Sequence, residues 1–117
     1  MHKLNIVIPV MNEEGSVGEL IERIHTSLKD KKIDYVITIV DDFSTDDTQK
    51  NIFKLAGEYP IHYYLKTDRP GKAYSILQGA ESEESEFVIM IDGDLQYAPE
   101  YIPRMLAATG SSFQPFS

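Results

Sequence analysis

Five apolar residues, Phe87-Val88-Ile89-Met90-Ile91, follow one another without interruption and lead into Asp92-Gly93-Asp94-Leu95-Gln96. The run is short for a helix and rich in branched side chains, so it reads as a strand buried on both faces. At its end stand two carboxylates one residue apart. Alternate side chains of extended backbone share a face, so Asp92 and Asp94 can point the same way. Two acids that close repel unless one takes up a proton or a cation lies between them. Two readings are open at this point. One is a solvated turn, for which Asp and Gly are common residues. The other is a hard divalent metal at the carboxyl end of a buried strand.

The rest of the chain repeats the theme. Leu4 to Val10 reads as a second buried strand, with Pro9 marking its carboxyl end because proline has no N–H for the ladder. Met11 to Gly15 forms a loop. Ser16 and Glu19 have the spacing of a capping box, and Val17, Leu20, Ile21, Ile24 and Leu28 recur at helical spacing, which predicts a helix to about Lys29. Tyr35 to Val40 is a strand ending in Asp41 and Asp42. The cap-rich loop after it leads into a helix to about Ala56, with Gly57 as its stop. Ile61–Leu65 is a short strand, Lys66 to Gly71 a loop, and Lys72 to about Ser82 a helix. Ala98-Pro99-Glu100 opens a last short helix that Pro103 should shorten or bend.

Strands alternating with helices predict an α/β fold, a mostly parallel sheet with flanking helices and right-handed crossovers. In such a sheet all carboxyl ends lie on one edge. Pro9 to Glu13, Asp41, Asp42, Asp92 and Asp94 are therefore expected along one crevice. Residues 1–108 form one domain in this reading, and 109–117 an irregular tail.

Composition removes several function classes. With a formal net charge of -8 over 117 residues, no phosphate-neutralising surface for nucleic acid is expected. The absence of cysteine excludes disulfides, zinc–thiolate sites and thiol catalysis. No apolar run reaches the roughly 18 residues of a membrane span, and the first residues lack the apolar core of a signal peptide. The expected location is cytoplasmic.

Four segments occur in a telling order: Ile8-Pro9-Val10-Met11-Asn12-Glu13, Val40 to Thr48, Gly71-Lys72, and Ile91-Asp92-Gly93-Asp94-Leu95-Gln96-Tyr97-Ala98-Pro99-Glu100. Together they resemble the amino-terminal half of the inverting family 2 glycosyltransferases of GT-A fold. The likeness is greatest to polyprenyl-phosphate (dolichyl-phosphate type) mannosyl- and glucosyltransferases and runs from about Lys3 to Leu106. The resemblance implies a truncated GT-A domain that binds a UDP- or GDP-linked sugar. Pro9, Met11 and Glu13 would line the nucleotide pocket, and Val40 and Asp42 would hold base and ribose. Lys72 would be the basic residue opening the third helix. Asp92, Gly93 and Asp94 would form the acidic donor motif, with Asp92, Asp94 and Gln96 on the side of Mg2+ or Mn2+. Met11 stands where the family usually has tyrosine, and Ala73 where a glycine usually follows the lysine. A polyprenyl-phosphate acceptor is implied, placing a full-length form at the membrane face. The catalytic base and acceptor site would lie beyond this chain, and an uncovered surface would favour self-association.

Blander assignments stand beside these. Lys72 can be a solvated lysine, and Ser44, Thr45, Asp46 and Asp47 read better as helix caps than as ligands. His2, His25 and His62 have no metal-like spacing, and Tyr63, Tyr64 and Tyr74 read as packing residues. Rival functions are a nucleotide- and metal-binding half-domain without turnover and an Asp-x-Asp phosphatase. A phosphatase of that kind or a phosphoacceptor receiver domain would carry its acids after the first strand, and a nucleotidyltransferase would show a glycine-rich loop there.

Overall fold

In the computed structural model, which describes residues 2–95 and 98–109, the apolar runs pair as a four-stranded parallel sheet. Its strands are β1 (His2–Val10), β2 (Tyr35–Asp41), β3 (Ile61–Leu65) and β4 (Ser85–Met90), in the order β3-β2-β1-β4. The helices are α1 (Val17–Leu28), α2 (Thr48–Leu55), α3 (Lys72–Ser82) and α4 (Ile102–Ala107), the last preceded by a 3-10 turn at Pro99–Tyr101. No helix among the described residues is long and apolar enough to cross a membrane.

The two-residue period of the strands sorts their side chains into two layers. Leu4, Ile6, Ile8 and Val10 pack with Ile37, Ile39 and the α1 residues Val17, Leu20, Ile21, Ile24 and Leu28. These α1 residues are the ones whose spacing predicts the helix. Burying each such side chain contributes about 1.5–3 kcal/mol, so this layer is the main core. On the other face α3 lies over β1 and β2. There Asn5 is fully buried, donating its amide to the Gly79 carbonyl at 3.1 Å and accepting from the Thr38 hydroxyl at 2.6 Å.

The structure corrects four details of the sequence reading. Pro9 does not end β1, because the strand runs to Val10 and pairs with β2 as far as Asp41. The Val7 carbonyl accepts from Ile91 on the β4 side, while the Val10 carbonyl accepts from Asp42 on the β2 side. By alternation Pro9 faces β4, whose pairing with β1 ends at Met90, so its missing N–H leaves no ladder bond unmade. Second, β4 is buried on one face only. It is the edge strand, and Val88 and Met90, on the α3 side, remain 46% and 42% exposed because α3 sits over its neighbours.

Third, Ser16 occupies the N-cap of α1 without capping it: its hydroxyl donates instead to the Gly93 carbonyl at 2.6 Å. Fourth, Pro103 starts a helix instead of breaking one. It lies in the first turn of α4, where a missing N–H is harmless.

α3 can approach the sheet closely because Gly79 has no side chain. A Cβ there would lie 2.5 Å from Cγ1 of Val7 and 3.2 Å from Cγ2 of Val40, both fully buried. Gly79→Ala should therefore destabilise the domain by about 1–3 kcal/mol in urea unfolding, the usual cost of overpacking. Gly15→Ala, with nothing within 4 Å, is the control and should change little.

Candidate functional site

Each of three strands delivers a loop to the carboxyl edge of the sheet, and the loops are fastened to one another. After β1, Asn12 takes a left-handed conformation (φ 55°), and its side-chain oxygen accepts from the backbone N–H of Thr45 at 2.8 Å in the loop after β2. The Ser44 hydroxyl accepts from the Asn12 N–H at 2.9 Å, and the Thr48 hydroxyl from the Glu13 N–H at 2.8 Å. Asp46 accepts from the Thr48 N–H at 2.9 Å. Ser44, Asp46 and Thr48 thus tie the two loops together, whereas Asp47, at the N-cap of α2, makes no side-chain capping bond, so the expected cap role is replaced by loop fastening.

The turn after β4 is pressed against the β1 loop. A Cβ on Gly93 would lie 3.0 Å from Val10 Cγ1, 3.1 Å from Glu13 Cγ and 3.4 Å from the Pro9 carbonyl oxygen. Glycine at this position is a consequence of that contact, and the bond from Ser16 holds the turn in place.

Between these loops lies a cleft of about 250 Å3, lined by Pro9, Val10, Met11, Glu13, Asp42, Lys72, Asp92, Gly93 and Asp94. Every one of these except Val10 is a residue the sequence singled out. Val40 is the exception in the other direction: its side chain is buried beneath α3, outside this lining. Gln96 lies outside the described residues. The lining holds four carboxylates against one ammonium, so it is strongly negative as it stands.

That imbalance acts on individual groups. Burial, followed by the charges of Asp94, Asp46 and Asp92, pushes the Glu13 carboxyl up from its ordinary value, partly offset by a hydrogen bond with Ser16. Lys72 Nζ donates to Asp92 Oδ1 at 2.6 Å, and this bond with its charge attraction moves the Lys72 ammonium up. Among the described residues no group of three or more His, Asp or Glu side chains is disposed to hold a metal alone. A cation here would take part of its oxygen shell from a ligand, as magnesium commonly does.

Asp41 and Asp42 were expected in the same crevice, but neighbouring strand residues point to opposite faces. Asp41 is buried on the α1 and α2 side, where its carboxylate accepts from the Tyr63 hydroxyl at 2.6 Å and from the Ser44 N–H at 2.9 Å. Only Asp42 reaches the cleft, held there by the Gly71 N–H at 3.1 Å. Gly71 itself has φ 125°, a conformation glycine adopts without strain. The histidines stay clear of the cleft, pairing with Asp34 (His2), Tyr35 (His25) and Glu83 (His62). A larger hollow of about 560 Å3 lies along α1, but Arg23 at its wall is already paired with Glu100 and Glu19. It offers no comparable convergence of loops.

Comparison with known proteins agrees with this geometry. Residues 5–111 match the family described as Glycosyl transferase family 2. The dolichol-phosphate mannosyltransferase of Pyrococcus furiosus is 31% identical over 106 residues, which are 91% of this chain and 30% of that protein. The undecaprenyl-phosphate 4-deoxy-4-formamido-L-arabinose transferase of Pseudomonas fluorescens is 36% identical over 97% of this chain and 34% of its own length. The chain thus spans about a third of the length of these curated relatives. Among solved structures, the glucosyl-3-phosphoglycerate synthase of M. tuberculosis superposes with a TM-score of 0.75 at 23% identity, over 92% of this chain and 40% of that one. S. aureus TarS in complex with UDP-GlcNAc gives 0.68 at 25% identity, over 91% and 30%. The four-stranded parallel sheet with flanking helices has the GT-A architecture of these neighbours. The chain belongs to glycosyl transferase family 2.

Proposed function

We infer that this chain is the donor-binding part of an inverting glycosyltransferase, holding a nucleoside-diphosphate sugar in the cleft at the sheet edge. The observation that carries the reading is the convergence of Glu13, Asp42, Lys72, Asp92 and Asp94 on one cleft in a chain of this family. Solved neighbours in complex with UDP, with UDP-GlcNAc, and with Mn2+, UDP and phosphoglyceric acid support a nucleoside-diphosphate-linked donor, UDP in their case. The two curated relatives are named for polyprenyl phosphates, which supports such a lipid as acceptor and a full-length form at the membrane face.

Mg2+ or Mn2+ fits the donor set, since the cleft gathers carboxylate oxygens, and burial together with the charges of Asp94, Asp46 and Asp92 raises Glu13 there. Asp94 and Asp92 would hold it. When bound, it would neutralise charge developing on the departing diphosphate. The chain's own residues do the remaining work. Asp42, fixed by Gly71, accepts from the nucleoside, while Pro9 and Met11 line its pocket. Lys72 presents an exposed ammonium that can leave Asp92 for a phosphate oxygen. An acceptor that is already an ionised phosphate needs no base, and attack opposite the diphosphate inverts the anomeric carbon. Self-association belongs to the same proposal, with the exposed faces of Val88 and Met90 on β4 supplying the apolar surface.

Titration calorimetry tests the donor site. With Mg2+ or Mn2+, UDP or GDP should bind more tightly than the matching monophosphate, and chelator should abolish the difference. Equal affinities indifferent to chelator would refute the assignment. Asp94→Asn should remove most of the metal dependence, whereas Asp42→Asn should weaken mono- and diphosphate alike and leave metal dependence intact. Identical behaviour of the two variants would show that the roles are not divided in this way.

Glu13 supplies a pH test. A carboxyl whose folded pKa is raised costs stability above that pKa, and the cost vanishes below its ordinary value of 4.5. In chelator, Glu13→Gln should therefore raise the Tm at pH 7, with the gain fading as the pH falls to that value. Excess Mn2+ should reduce the gain at pH 7. A gain independent of pH would point to packing instead of charge.

A further inference from the structure

The loop after β3 contains a lysine that no local sequence pattern separates from a solvated one. Lys66 is 2% exposed, and its backbone N–H extends the sheet by donating to the Asp41 carbonyl at 3.0 Å. Its ammonium donates to the Gly71 carbonyl at 2.8 Å and the Ser75 hydroxyl at 3.2 Å, and forms an ion pair with Asp42 Oδ1 at 3.3 Å. Ser75 is itself fully buried and donates to the same Gly71 carbonyl. A buried charge costs several kcal/mol unless paired and hydrogen-bonded, so one ion pair with two hydrogen bonds is what permits the burial of this one. The Tyr74 ring has the Lys66 ammonium 6.0 Å and the Arg69 guanidinium 4.4 Å from its centroid.

The partners of Lys66 are not a random set. Asp42 is the acid that reaches the cleft from β2. Gly71 donates its N–H to Asp42 and gives its carbonyl to Lys66, so both polar groups of that peptide-bearing residue are spoken for. The next residue is Lys72, whose ammonium lies on Asp92 across the cleft. One buried ammonium therefore fixes the rotamer of Asp42 and the origin of α3 together, and through α3 the base of the Lys72 side chain.

We propose that Lys66 is a positioning residue for nucleotide binding: it holds the Asp42 carboxylate and the Gly71–Lys72 turn in register with each other without touching the ligand. This rests on the donor-site reading above. Its contacts with Asp42, Gly71 and Ser75 put its effect on the proposed nucleoside side of the cleft.

The test is a double-mutant cycle read by calorimetry with UDP and UMP, or GDP and GMP, in Mn2+, with Tm and circular dichroism recorded for every variant. Lys66→Met should weaken mono- and diphosphate by the same factor, about tenfold or more, the scale of losing a charged hydrogen bond. The gain in diphosphate affinity on adding Mn2+ should persist. In an Asp42→Asn background the same change should cost less than about twofold, because coupled residues are non-additive. Ser75→Ala, a smaller perturbation, should lower both affinities about two- to fivefold and serves if Lys66→Met does not fold. A purely structural lysine would lower the Tm and leave the affinity of the folded protein unchanged; that result, or strict additivity with Asp42→Asn, overturns the proposal. If the unmodified chain binds none of the four nucleotides, the donor-site reading has failed, and this proposal with it. Binding by the unmodified chain with unaltered affinity in Lys66→Met or Ser75→Ala refutes the positioning role alone.

Discussion

Parallel pairing of β1 on both of its sides is the constraint from which the site follows. A parallel neighbour must begin at the same end of the sheet, so the chain has to return across a face between strands, and each return is made by a helix. All strand ends then fall on one edge. The loops after β1, β2 and β4 meet there because β1 lies between the other two. The acids they carry are brought within repelling distance by backbone geometry, and burial together with that repulsion raises the Glu13 carboxyl. Backbone hydrogen bonding supplies the force that holds like charges together, and the cleft is left with a demand for positive charge.

That demand is met differently on the two sides. On one side Asp42 has a buried counter-ion in Lys66 and an N–H from Gly71. On the side of Asp92 and Asp94, the ammonium of Lys72 is 60% exposed at its side chain and rests on Asp92. A buried pair is dear to disrupt, whereas an exposed one contributes little, typically about 0–1 kcal/mol. One wall of the cleft is thus preformed and the other is free to exchange partners. Such a division suits a ligand with a neutral, shape-defined nucleoside at one end and a diphosphate at the other.

Much of this was legible in the sequence because it rests on period and order. The apolar spacing of α1 and the branched runs of β1 and β2 are strong local signals, and they placed Pro9, Met11, Glu13, Asp42, Asp92 and Asp94 on one edge. What escaped notice depends on partners distant along the chain. Ser16 has the local signature of a cap, yet its hydroxyl is 77 residues from its partner, Gly93. Asp41 and Asp42 are alike as letters and differ only in the face on which the strand period puts them. Lys66 lies among the charged residues of a loop, and nothing in its immediate neighbours distinguishes a buried ammonium from a solvated one. The one-sided burial of β4 likewise depends on which strands α3 covers, which no run of five residues reveals.

Asn5 carries a consequence for how the chain finds its pairing. It is the one polar side chain in the buried run from Leu4 to Val10, beside Leu4, Ile6, Ile8 and Val10, and such a run specifies register weakly when both of its faces are greasy. A slip of one residue would turn Asn5 onto the layer of Leu20 and Ile24, away from the Gly79 carbonyl and the Thr38 hydroxyl. An orphaned buried amide costs about 1–3 kcal/mol, enough to reject the slipped sheet by about one to two orders of magnitude. The amide thereby proofreads strand alignment, and its vote also decides whether Glu13, Asp42 and Asp92 arrive at the edge level with one another.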